Sequence, residues 1–276
     1  MSEGCSSCSS NPKQADPKPA QYVNLLESAE NIIAVASGKG GVGKSTVAVN
    51  LAIALAKKGF KVGLLDADIY GPSVAKMFGT KYGEATTTNE KIDPIVVHGV
   101  KTLSIGNLVD PDKATIWRGP LIHSALQQMI KDVNWGELDY FIVDLPPGTG
   151  DVQLSLVQSL HVKGMLAVTT PQEMSLIDVV KAVDMFEKVG VRVLGVIENM
   201  SYFVCDGCNK KHFIFGSDGG KNFAEKSGYE LLAQIPVDTA IMTSGEKGEP
   251  YAVNDKDDIY SALADKVNGS VAGSLK

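Results

Sequence analysis

Six short apolar runs punctuate the chain: IIAVAS (32–37), KVGLLDA (61–67), YFIVDLP (140–146), GMLAVTT (164–170), VRVLGVIEN (191–199) and ELLAQIP (230–236). None alternates apolar with polar residues, as a strand with one wet face does. They are continuous, the pattern of parallel strands covered by helices on both sides. Helix-period segments lie between them. Residues 44–58 follow a glycine-rich turn and stop before Gly59, while residues 175–189 set Leu176, Val179, Val180, Val183 and Phe186 on one face, with Met174 and Met185 read as packing residues. The alternation predicts an α/β fold: a doubly wound, mostly parallel sheet with helices on both faces. Residues 80–105 read as a loop followed by short strands, with a hairpin about His98 and Gly99.

Polar residues gather where the runs end. Ser37, Asp66, Asp68, Asp144, Thr169, Thr170, Glu198 and Asn199 all fall at or just past a C-terminal strand end, which in an open parallel sheet is the ligand crevice. The first of these ends leads into GKGGVGKS (Gly38–Ser45), a glycine-rich turn that follows a strand and opens a helix, as the Walker A pattern requires. Its glycines let successive N–H groups face phosphate oxygens, and the helix N-terminus adds partial positive charge. Gly38, Lys39, Gly40, Gly41, Val42, Gly43, Lys44, Ser45 and Thr46 are thus the expected nucleotide contacts, with Lys44 on the β and γ phosphates and the Ser45 hydroxyl on Mg. FIVDLPPGTGD (141–151) is a Walker B-like strand end in which Asp144 is expected to hold Mg through water, with Asp151 as a helix N-cap. Asn199, at the end of its strand, and Pro236 in IPVD (235–238) are expected to border the base of the nucleotide.

With 276 residues, 44% of them hydrophobic, the chain can bury a full core. Residues 1–28, rich in Ser, Pro, Lys and Gln, read as a flexible tail, and 29–276 as one P-loop ATPase domain. A net charge of −6 disfavours a broad grip on nucleic acid or an anionic membrane. No apolar stretch reaches the roughly 18 residues of a membrane span, and the opening MSEGCSSCSS lacks the features of a secretion signal, so a cytoplasmic protein is expected. Four cysteines form two C-x-x-C pairs, Cys5/Cys8 in the tail and Cys205/Cys208 in the domain. In a reducing compartment that spacing suggests metal or redox chemistry. Two thiolates do not complete a tetrahedral site. His212, the tail pair, or a second copy of the chain are candidate sources of the rest, and a structural zinc, a redox disulfide and a bridging iron-sulfur cluster all fit the bare spacing.

Lys39 is a second lysine inside the loop, and GKGGVGKST resembles the deviant Walker A of the SIMIBI ATPases, the group of nitrogenase iron protein, MinD, ParA and ArsA. The resemblance implies that Lys39 reaches the ATP of a partner subunit and that Asp68 in LLDADIYGPS positions the attacking water, making Lys39, Lys44, Asp68 and Asp144 the catalytic set, with Asp66 capping its strand. Together with WRGP (117–120), DYFIVDLPPGTGD and ENMSYFVC-x-x-C, these motifs resemble the Mrp/ApbC family of iron-sulfur cluster carrier ATPases over residues 30–265. That likeness implies a homodimer holding a 4Fe-4S cluster between paired Cys205 and Cys208, slow ATP hydrolysis, upstream scaffold proteins and apoprotein recipients, with no nucleic-acid or membrane partner. The alternative is a MinD- or ParA-like positioning ATPase with structural zinc at the thiols. Its basic amphipathic membrane helix has no counterpart in the Gly/Ser-rich end of this chain.

Overall fold

Residues 25–110, 117–255 and 258–273 are described by the computed structural model. In chain order they form β1 (Ala29–Ser37), α1 (Lys44–Lys57), β2 (Val62–Asp66), α2 (Val74–Met77), β3 (Thr86–Thr88), β4 (Lys91–Asp93), β5 (Ile95–Val97) and β6 (Val100–Ser104). Next come α3 (Ile105–Leu108), α4 (Gly119–Lys131), β7 (Leu138–Asp144), α5 (Asp151–Ser159), β8 (Val162–Thr169), α6 (Glu173–Lys188) and β9 (Val193–Glu198). The chain continues through β10 (Phe203–Val204), β11 (Lys211–His212), α7 (Gly219–Ser227), β12 (Leu231–Gln234), α8 (Thr239–Lys247), a 3-10 turn (Tyr251–Asn254) and α9 (Ile259–Val271).

One eight-stranded sheet, in the order β12-β9-β8-β1-β7-β2-β6-β5, carries the fold. Its pairs are parallel except β5 with β6. The both-sided burial of β1 explains its unbroken apolar run. Ile32, Ala34 and Ala36 join the core that includes Trp135, Phe141 and Phe186, whereas Ile33 and Val35 join the opposite core with Leu51, Leu55 and Tyr260. Parallel register then aligns the strand ends. Asp66 is level with both Asp144 and Ser104, and Thr169 and Gln234 are each level with Glu198. Ser37, Asp66, Ser104, Asp144, Thr169 and Glu198 are fully buried along this one edge.

The structure departs from the sequence expectations at several points. VKTLS, expected as a short strand after a loop, is a core strand: β6 lies beside β2 with Val100 and Leu103 buried. Its Lys101 and Thr102 hide the pattern by interrupting the apolar run. The β5–β6 hairpin turns at His98 and Gly99, both at positive φ (49° and 80°), which matches the right-handed strand twist. Met174 is not a packing residue, being 67% exposed, and Val180 is 46% exposed because it falls one residue off the stripe of Val179, Val183 and Phe186. Asp151 is the exposed first residue of α5, behind Gly150 at the cap, and makes no side-chain cap bond. Ordered packing also begins ahead of residue 29, since Leu26 is buried in the core.

Candidate nucleotide site and thiol hairpin

The turn between β1 and α1 is held tightly from behind. Gly38 lies so close to α6 that a Cβ there would stand 2.1 Å from the Asp178 carbonyl carbon, so only glycine fits. The Ser37 hydroxyl donates to Lys39 O at 3.0 Å, and Gly148 N donates to Ser37 O at 2.9 Å, tying the turn to the loop after β7. At the entry to α1, Gly43 takes φ 83°, and no side chain caps the first turn. Such an uncapped helix N-terminus binds anions.

Lys44 is buried, with its ammonium 2.7 Å from Asp144 Oδ1 and 3.3 Å from Ser45 Oγ. Asp144 is fully buried, and its Oδ2 has no hydrogen-bond partner among the described residues. Burial raises the Asp144 carboxyl above the ordinary range, while Lys44 pulls it back. Asp66 is raised as well, to about 7, first by burial and then by repulsion from Asp144. It accepts from the Ser104 hydroxyl (2.9 Å) and from the backbone N–H groups of Asp68 (3.1 Å), Ser73 and Val74 (both 3.2 Å). Asp66 therefore does more than cap its strand: it folds the whole loop carrying Asp68 back onto β6. Asp68 is half-buried at the mouth, with Oδ1 accepting from Gly71 N at 3.2 Å.

Beyond Gly43 and Thr46 opens a cavity of about 530 Å³ whose wall includes Asn50, Asn199, Met200, Phe215, Pro236 and Met242. Asn199 and Pro236 thus border one space. The Asn199 amide donates to Val42 O at 2.8 Å, and a Cβ on Gly43 would stand 2.1 Å from its nitrogen. Sequence inspection singled Asn199 out as a contact for the base; in the structure its side chain clamps the phosphate loop.

The thiols stand on a small hairpin. β10 and β11 pair antiparallel with Phe203 opposite His212, and Cys205 N donates to Lys210 O while Cys208 N and Asn209 N both donate to Cys205 O. The Lys211 ammonium sits 3.9 Å from the Tyr202 ring centre, bracing the hairpin from outside. Cys205 is half-buried and Cys208 exposed. Hydrogen bonds from the backbone of Gly207, then of Cys208, hold the Cys205 thiol below its usual value. The two sulfurs and a His212 ring nitrogen all lie within 4.8 Å of one another.

Lys44, Ser45 and Asp144 are in direct contact, Asp68 is near enough for its charge to act on Asp144, and Lys39 is half-exposed with no side-chain partner among the described residues. Cys5 and Cys8 lie outside the described residues. Two contributors escaped sequence inspection in these roles. Glu198, fully buried, accepts from Ser201 Oγ, from Gly220 N and from Gln234 Nε2, and so pins both ends of the segment that carries the thiols. Phe215, seven residues beyond Cys208, reaches into the cavity that opens beyond Gly43 and Thr46. Only the strand-terminal position of Glu198 signalled anything; nothing local marks Phe215.

The parallel sheet and the phosphate loop at the end of its central strand define a P-loop nucleotide-binding protein. The family model described as ParA, NUBPL iron-transfer P-loop NTPase, matches residues 28–272, and the chain belongs to that family. It is 49% identical to the iron-sulfur cluster carrier protein of Deinococcus radiodurans over 91% of this chain and 71% of the relative. It is 46% identical to the iron-sulfur protein required for NADH dehydrogenase, mitochondrial, of Arabidopsis thaliana, over 91% and 80%. Among solved structures, the nucleotide-binding protein of Archaeoglobus fulgidus, in complex with ADP and with Co found by PIXE, is similar with a TM-score of 0.74 and 38% identity, covering 86% of this chain and 92% of that one. The cell division ATPase MinD of Pyrococcus furiosus shares the fold alone, with a TM-score of 0.61 at 22% identity over 86% and 98%.

Proposed function

We propose that this chain is an ATP-dependent carrier of iron-sulfur clusters: two copies hold a 4Fe-4S cluster between their Cys205 and Cys208 thiols, take it from upstream scaffold proteins and deliver it to recipient apoproteins. The observation that carries this is the pair of adjacent, accessible sulfurs on a preformed turn, in a family of iron-transfer NTPases. A cubane takes four cysteine ligands, so one chain supplies half of the set and a twofold pair supplies all of it. The names of the Deinococcus and Arabidopsis relatives support the same cargo. Paired free thiols, one half-buried and one exposed, suit a reducing compartment, which is why we place the protein in the cytoplasm. Among the described residues no helix is long and apolar enough to cross a membrane.

The nucleotide half follows from the chain's own groups. Backbone N–H groups of residues 38–46 receive the phosphates, and Lys44 exchanges Asp144 for them. The residues also suit Mg: the unpartnered Asp144 Oδ2 and the Ser45 hydroxyl are oxygen donors of the kind it takes. Bound there, Mg neutralises charge on the β and γ phosphates. Asp68 orients the attacking water, Lys39 reaches the nucleotide of the second copy, and Asn199 and Pro236 border the base. Hydrolysis in this scheme times a conformational change, and Met200 and Phe215, which line the cavity, flank the thiol hairpin on either side.

Anaerobic reconstitution with iron and sulfide tests the proposal, followed by transfer to an apoprotein that accepts 4Fe-4S. About four irons per two chains, lost in Cys205→Ser and in Cys208→Ser, is the expected result. Iron retained by either variant, or a loaded protein that fails to activate the acceptor, would overturn it.

A further inference from the structure

A cubane shared between two copies needs four sulfurs, and the hairpins of two copies present six ligands. The surplus is His212. It pairs across from Phe203 at the base of the hairpin, and its ring nitrogen falls within 4.8 Å of both Cys205 Sγ and Cys208 Sγ in the same chain. Among the described residues this is the one group of three or more His, Cys, Asp or Glu side chains with metal-ligand spacing. In a tetrahedral zinc site with two sulfurs and one imidazole nitrogen, neighbouring ligand atoms stand about 3.5–3.8 Å apart, so closure on an ion needs a movement of about 1 Å or so. The backbone is already set for this. The N–H groups of Cys208 and Asn209 both turn back onto Cys205 O, and the strand pairing on either side fixes where His212 starts.

We infer that Cys205, Cys208 and His212 of a single chain form a mononuclear site for a thiophilic divalent cation, zinc or ferrous iron, with the fourth position open to water or to a donor from another molecule. Two thiolates cancel the charge of the ion, and the neutral imidazole adds a third bond without adding charge. Exposure favours the same conclusion: Cys208 and His212 are both open to solvent, so no core residue blocks the vacant position. Because the mononuclear ion and the shared cluster use the same sulfurs, they exclude one another. While the single ion is bound, the thiols of that chain are unavailable to a shared cluster. This inference stands on ligand geometry within one chain and does not require the cluster-carrier reading.

Cobalt(II) is the probe, titrated anaerobically into the reduced, metal-free full-length chain, with native mass spectrometry on the same samples. The expected result is one cobalt per chain on the monomer peak, with the intense ligand-field bands of a tetrahedral cobalt thiolate, bleached by zinc. His212→Ala should weaken cobalt binding by at least about tenfold, as loss of even an outer partner does at metal sites. His212→Cys, which restores a third ligand, should recover it. Cluster reconstitution should still give about four irons per two His212→Ala chains, since imidazole is not among the cubane's four ligands. One cobalt per two chains, or cobalt affinity unchanged in His212→Ala, would overturn the mononuclear site. Failure of wild type to take up a cluster, with cobalt binding intact, would instead count against the carrier function alone.

Discussion

Replacing Lys44 with methionine in nucleotide-free protein isolates the tightest charge pair in the site. The ammonium and Asp144 Oδ1 are 2.7 Å apart, with the two side chains 7% and 0% exposed. Removing one partner of such a pair strands the other charge away from water, at a cost of about 3–5 kcal/mol. Asp144 is poorly placed to compensate, because its second oxygen has no partner among the described residues. In urea this should lower the unfolding midpoint by about 1 M or more. The sign of the pH dependence follows from the carboxyl. Its folded pKa already exceeds the unfolded value through burial, and loss of Lys44 raises it further. A raised carboxyl is fully tolerated below its unfolded pKa of about 3.8 and loses stability as pH climbs through the folded value, so the deficit of Lys44→Met against wild type should shrink on acidification. Adding Asp144→Asn to Lys44→Met removes the stranded charge and should recover about 2 kcal/mol, a coupling typical of contacting residues. Strictly additive losses in the double variant, or a Lys44→Met deficit that ignores pH, would refute this account of the pair.

Asp66, with a carboxyl at about 7, should make nucleotide-free protein lose stability between about pH 4 and pH 7, by roughly 4 kcal/mol at most; Asp66→Asn should flatten that part of the pH–stability curve in chemical unfolding. Iodoacetamide labelling of the metal-free chain, read by peptide mass spectrometry, should show Cys205 turning reactive at a lower pH than an ordinary thiol, and Gly207→Pro, which removes a backbone donor, should move the inflection up. Glu198→Ala leaves three donors without their acceptor and should cost about 2–4 kcal/mol, with faster proteolysis inside residues 201–219; unchanged protease resistance would remove Glu198 as the pin of the thiol segment.

The strands and the phosphate loop were legible because local pattern and tertiary role coincide there. A run apolar on both faces has nowhere to lie but inside a covered sheet, and GKGGVGKS is readable because backbone geometry itself makes the cradle. What stayed hidden depends on contacts distant in sequence. β6 carries Lys101 and Thr102 side by side in the middle of a short run, and only its place beside β2 makes it core. Asp66 and Asp68 look interchangeable in DAD, yet one is fully buried and bound to four donors while the other remains half-exposed. Asn199 shows its clamp on Val42 only when residues 157 positions apart meet.

Adjacent residues at the end of β9 serve the two halves of the molecule. The Glu198 side chain holds Ser201 and Gly220, the start and finish of the thiol segment, while the Asn199 side chain holds Val42 in the phosphate loop. Met200, which follows at a positive φ of 55°, turns the chain out of the sheet and lines the cavity that opens beyond Gly43 and Thr46. From the other side of the hairpin, Phe215 enters that same cavity. A ligand that shifts the cavity wall therefore acts on the thiol hairpin at both of its roots, through Met200 before Cys205 and through Phe215 after His212. Attached at two points and braced by its own strand pairing, the hairpin is tied to the cavity wall as a unit. In the twofold pair proposed above, a shift of both hairpins would change the distance between the thiol pairs while leaving the spacing of Cys205, Cys208 and His212 inside each chain as it is.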